Sequence, residues 1–186
     1  MKFNDQSTLE ELVEGCIRKD RLAQKYLYKQ MYSSMFAVAL RYSKDEDMAT
    51  FILNNSFLKV FTKIESHNKE HSFYGWVKRI VVNSALDEIR KNKKHSNQLQ
   101  IEEIQEPALT ENVLDKLKAE DLLKAIQTLP GLTNVVFNLY TIEGYKHHEI
   151  AKKLSIPEGT SKWHVSQGRK LLKKKLAYYL TETNRG

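Results

Sequence analysis

Between Gly144 and Leu172 the chain carries an indole, a hydroxyl, an amide and several lysines at spacings that one helix would bring to a single side. At 100° per residue, Trp163, Ser166, Gln167, Lys170 and Lys174 share a face, flanked by Lys162 and His164, while Ser161, Val165, Gly168 and Leu172 share the opposite one. The outer group can donate and accept hydrogen bonds, carry positive charge and offer one flat apolar surface. That is the chemistry of recognition: base edges are read near the start of a helix inserted in a major groove, and lysines such as Lys170, Lys173, Lys174 and Lys175 hold phosphates. An ordinary αα-hairpin with a charged face has the same spacing, yet solvation gives an outward indole no benefit.

These side chains need a scaffold, and the residues before them supply one. Ile150, Ala151 and Leu154 line a first helix, with small Ala151 where a second helix must approach closely. Ser155 to Gly159 reads as a short turn and Thr160 as the N-cap of the second helix, which together make a helix-turn-helix. A second candidate surface lies upstream, on a helix starting near Ser72. There Arg79, Asn83, Asp87 and Arg90, with Lys78 beside them, form a stripe opposite Phe73, Val77, Ile80, Val81 and Ser84. Cations alternating with an amide suit a single strand held by its phosphates. Phe73, Tyr74 and Trp76 could add stacking, although aromatics at helical spacing are more often core.

Catalytic chemistry has no comparable support. His147-His148-Glu149 lacks a metal-ligand set at suitable spacing, and no H-E-x-x-H, Gly-rich phosphate loop or G-x-S-x-G elbow occurs. Cys16 sits on an apolar helix face and reads as a small core residue. The expectation is a binding protein with no catalytic residues, no metal and no cofactor.

The chain of 186 residues is 41% hydrophobic and holds only seven Gly and three Pro, which favours long helices. From Leu9 to about Lys94 apolar residues recur at three and four, with breaks at Lys19-Asp20, Ser43 to Asp45 and Ser66 to His71. The expected fold is all-α, with two small helical domains: a bundle over 1–95, a flexible acidic linker over 96–118 and a helix-turn-helix domain over 119–180. Charge follows the same division, at +5 for residues 1–95, −5 for 96–121 and +7 for 122–186. Two positive lobes around a negative strap suit a polyanionic partner, because neutralising phosphates supplies most non-specific affinity for nucleic acid. The N-terminus has no apolar core of a signal peptide and no stretch approaches membrane-spanning length, so a cytoplasmic protein without membrane insertion is expected.

The C-terminal residues resemble region four of the extracytoplasmic-function sigma factors of bacterial RNA polymerase. The matching run is Leu129-Pro130, Val136 to Leu139, Ile142 to Gly144, Glu149 to Ala151, Leu154, Ile156, Glu158 to Lys162 and Arg169 to Leu172. The N-terminal half resembles region two of that family, most clearly over Ser72 to Lys91. The resemblance implies a promoter-specificity subunit that is a monomer when free, binds core polymerase through the β′ clamp helices and β flap, and is often held by an anti-sigma factor. It implies that Thr160, Lys162, Trp163, His164, Ser166, Gln167, Lys170 and Lys174 meet the minus-thirty-five element. By the same likeness Lys78, Arg79, Asn83, Asp87 and Arg90 melt the minus-ten element, the loop Ser66 to Ser72 helping to capture a flipped base.

The polymerase-binding helix corresponds to Phe51, Asn54, Asn55 and Phe57, where the family usually shows an acidic residue, then Gln and Asp or Glu, before a Phe. Ser155 replaces the usual turn Gly, and Gly168 the usual Ala. A polymerase-independent helix-turn-helix regulator is the alternative that the altered segment favours, and a protein-interaction module is a third.

Overall fold

Short polar caps interrupt long amphipathic runs, and the helices begin and end at those caps. The computed structural model describes residues 3–95 and 124–183, with side chains over 3–91 and 124–176. It divides into two compact units, 1–96 and 97–186. All regular structure among the described residues is helical. The linker expected over 96–118 lies outside them; the last described helix of the first unit ends at His95.

The first unit packs four helices: α1 (Leu9–Ile17), α2 (Arg21–Leu40), α3 (Glu46–Lys63) and α4 (Phe73–His95). A capping box of Thr8 and Glu11 opens α1, and Asp20 accepts from the Leu22 and Ala23 amides to open α2. Asp45 accepts from the Met48 amide and the Ser72 hydroxyl from that of Gly75, starting α3 and α4. The breaks fall where the sequence puts them. α2 lies against α1, α3 and α4, and α3 against α4, around Leu27, Met35, Leu53, Val60, Val77 and Leu86. Gly15 allows α1 and α2 to touch, since a Cβ there would sit 2.5 Å from that of Ala23. Cys16 is buried as expected; burial and the Asp20 charge push its thiol up to about 12, which makes it inert.

In the second unit a helical segment over 124–127 leads to α5 (Gly131–Phe137), which widens into a π turn (Asn138–Ile142). Then come α6 (His147–Leu154) and α7 (Glu158–Thr183). Ala125, Ile126, Leu129, Phe137, Leu172 and Leu176 form its core. The Glu149 carboxylate caps α6 by accepting from the Lys146 amide at 2.8 Å. Ser155 ends α6 in the left-handed region, at φ 53° and ψ 50°, which explains why glycine is usual there.

One expectation needs correcting. α7 begins at Glu158, just after Pro157, so Thr160 lies inside its first turn and is not the N-cap. The turn is correspondingly shorter, spanning Ser155 to Pro157. Among the described residues no helix is long and apolar enough to cross a membrane.

Candidate nucleic-acid interface

The two faces of α7 separate as its spacing demands. Ser161, Val165, Gly168, Leu172 and Leu176 are buried, while Lys162, Trp163, Ser166, Lys170, Lys173 and Lys174 are exposed and Gln167 is half-exposed. Trp163 remains 45% exposed, the only large hydrophobic side chain so placed among the described residues of this unit. Lys162 pairs with Glu158 at 3.0 Å, holding that carboxyl below the usual carboxylate range. Both partners are well exposed, so the pair is weak and Lys162 can exchange it for another anion.

Two histidines fasten α7 from behind. His164 Nδ1 lies 2.9 Å from the hydroxyl of buried Thr133 in α5, and His147 Nδ1 lies 3.0 Å from that of buried Ser161. The His147 ring also stacks on Tyr140, with centroids 4.3 Å apart. His164 was expected to flank that face and meet DNA, but its ring is half-buried and turned toward α5. Burial lowers its pKa from the ordinary histidine value. Its ring stands nearly perpendicular to the indole, with centroids 4.8 Å apart and planes at 78°, so it braces Trp163.

Gly168 has a physical reason to lack a side chain. A Cβ there would come within 2.6 Å of the Phe137 ring. The glycine that weakens the helix locally thus admits an aromatic core residue from α5.

On α4, Phe73, Val77, Val81 and Ser84 face inward as the stripe requires, Arg79 is exposed, and Lys78 and Asn83 are half-exposed. The far end of the stripe behaves differently. Arg90 Nη1 donates to Asp87 at 2.8 Å, and Lys59 of α3 donates to Asp87 at 3.4 Å and to the Ser84 hydroxyl at 3.0 Å. Asp87 and Arg90 therefore share a groove of 610 Å³ between α3 and α4 with Phe51, Asn55 and Leu58. Residues assigned from the sequence to two separate tasks are brought together there. The aromatic trio His67, Phe73 and Trp76, with centroids 5.2 to 5.5 Å apart, sits where the loop Ser66 to Ser72 enters α4. Tyr74 is exposed beside it.

Among the polymerase-directed residues of α3, Phe51 is 50% exposed and Asn55 lines the groove. Asn54 accepts from the Tyr28 hydroxyl at 2.8 Å. Phe57 does not belong with them: it is 2% exposed, edge-on to Tyr28 at 4.8 Å, and is core. Its exposed neighbour Leu58, at 65%, takes the outward place that Phe57 was expected to fill. The seven-residue step from Phe51 to Leu58 was the available signal. Among the described residues no group of three or more His, Cys, Asp or Glu side chains could hold a metal ion.

Comparison with known proteins gives the same two parts in the same order. Residues 27–95 match the family described as Sigma-70 region 2, and residues 119–172 match Sigma-70, region 4; together the matches cover more than half of the chain. The ECF RNA polymerase sigma factor SigE of Mycolicibacterium smegmatis is 26% identical over 162 residues, covering 84% of this chain but only 63% of that protein. The ECF RNA polymerase sigma-E factor of Haemophilus influenzae is 24% identical, over 92% of this chain and 97% of its own length. In fold, the chain is similar to the sigma factor RpoE of Bartonella quintana, solved in complex with the anti-sigma factor NepR. That likeness has a TM-score of 0.50 and 22% identity, over 83% of this chain and 96% of that one.

Proposed function

The chain belongs to the extracytoplasmic-function sigma factors of bacterial RNA polymerase, and from that premise we propose how its two units divide the work of promoter recognition. The second unit lays the outer face of α7 in the major groove of the minus-thirty-five element. There Lys162, Trp163, Ser166 and Gln167 read base edges near the start of the helix, while Lys170 and Lys174 hold phosphates. Thr160, in the first turn, contributes a hydroxyl, and His164 acts from behind by bracing the indole.

The first unit engages core polymerase through α3 and the separated strand of the minus-ten element through α4. Phe51, Asn55 and Leu58 offer an apolar and amide surface to the β′ clamp helices, in place of the charges usual in the family. Lys78, Arg79 and Asn83 hold the non-template strand, and the aromatic trio at the start of α4 supports the loop that receives an unstacked base. Asp87 links Arg90 to Lys59 and positions this end of α4.

In this reading the chain is a specificity subunit and leaves phosphodiester chemistry to the polymerase. It works in the cytoplasm as a monomer until it joins core polymerase and the β flap, and an anti-sigma factor restrains it, as NepR accompanies the Bartonella protein.

The observation that carries the proposal is the outer face of α7, an exposed indole among lysines on a helix bolted to its own domain from the other side. Run-off transcription with core polymerase on genomic fragments tests it. Discrete, promoter-dependent transcripts are expected only when the chain is added. A chain that leaves transcription by core polymerase unchanged would overturn the proposal.

A further inference from the structure

Within the reading of α7 as the minus-thirty-five helix, we infer that Trp163 is a thymine reader: its indole packs on the 5-methyl group of one thymine in the major groove. Three observations lead there. The indole is the sixth residue of α7, near the helix start, where side chains reach base edges. It stays 45% exposed, with the His164 ring beside it and exposed, polar Lys162, Ser166 and Lys170 around it, so a large part of its apolar surface is open to a ligand. That ring contact, with His164 tied to Thr133 at 2.9 Å, limits the rotation of the indole before DNA arrives. A pre-set aromatic surface loses little freedom on binding.

The major groove narrows the choice of ligand. Of the four bases only thymine presents a methyl group there; the other edges show hydrogen-bond donors and acceptors. Tryptophan has one donor and no acceptor, whereas its ring is the largest apolar surface a side chain can offer. The surrounding lysines bring the phosphate backbone to the same place and so supply the charge complementarity.

The test uses the full chain assembled with core polymerase and a duplex selected by that holoenzyme from a randomised pool. Each thymine of the upstream element is replaced in turn by deoxyuridine, which removes the methyl group alone. One position is expected at which this weakens binding about fourfold, as for the loss of one buried methyl group. In Trp163→Ala the same replacement should leave binding unchanged, and in Trp163→Phe part of the preference should survive. Deoxyuridine effects that are equal in wild type and Trp163→Ala would overturn the inference, as would coupling of Trp163 to 7-deazapurines instead, which would make the indole a donor. Enrichment of no site at all would sink the minus-thirty-five reading itself, and is distinguishable from both.

Discussion

α4 and α7 each carry a row of polar residues opposite an apolar one, and the elements around them claim the two rows differently. On α7 the indole rests beside one braced ring, Lys162 pairs with Glu158 of its own helix, and Lys175, expected among the phosphate-holding lysines, donates instead to the Thr128 hydroxyl at 2.7 Å. On α4 the row divides. Arg79 is exposed toward its N-terminal end, whereas Asp87 and Arg90 join each other and Lys59 of the neighbouring helix. Helical spacing tells which residues share a face but not which of them a second helix will claim. That depends on what lies opposite, and α3 reaches Ser84 and Asp87 of α4 through Lys59.

The largest effect should come from the α3 side of this comparison. Phe57→Ala is expected to destabilise the first unit by about 3–5 kcal/mol, because it empties a core position. Phe51→Ala should leave stability nearly unchanged and lower the affinity for core polymerase. Denaturant titration beside a polymerase-binding assay checks both; the reverse pattern would return Phe57 to the binding surface. Next, Gly168→Ala should cost the second unit about 1–3 kcal/mol through its clash with Phe137, despite the better helix propensity of alanine. Combining it with Phe137→Leu should recover much of that loss.

Within α7, Lys162→Ala or Gln167→Ala should relax sequence choice by about 1–3 kcal/mol, whereas Lys174→Ala should weaken all DNA alike and reduce the salt slope by about one. Equal losses on specific and random DNA for all three would end the distinction between reading and holding residues. Asp87→Ala should change stability by about 1 kcal/mol or less, since its ion pairs are half-exposed. The smallest effect concerns His164, whose pKa burial lowers. As pH falls below about 6.5 the unfolded chain takes up the proton first, so stability present above that value is lost on acidification. The denaturation midpoint of the second unit should drop between about pH 7 and pH 5, and drop less in His164→Gln.

Much of this was legible in the residues. The inward set Ser161, Val165, Gly168 and Leu172 follows from angular spacing alone, and the breaks of the first unit follow from Asp20, Asp45 and the polar run before Phe73. What escaped depends on partners far away in sequence. Phe57 is core because Tyr28 covers it, and His164 turns inward because Thr133, 31 residues earlier, offers a hydroxyl. The start of α7 was misplaced for a local reason: Thr160 is a good cap by type, but the helix already begins after Pro157.

The His147–Ser161 and His164–Thr133 bridges both lie on the inner side of α7. In the proposed function, anchoring and reading therefore fall to different residues of one helix. Under the proposed function, substitutions at 162, 166 or 167 would alter the preferred DNA word while both anchors remain in place. Such a helix can drift from one set of target genes to another by single steps, each of them a folded protein.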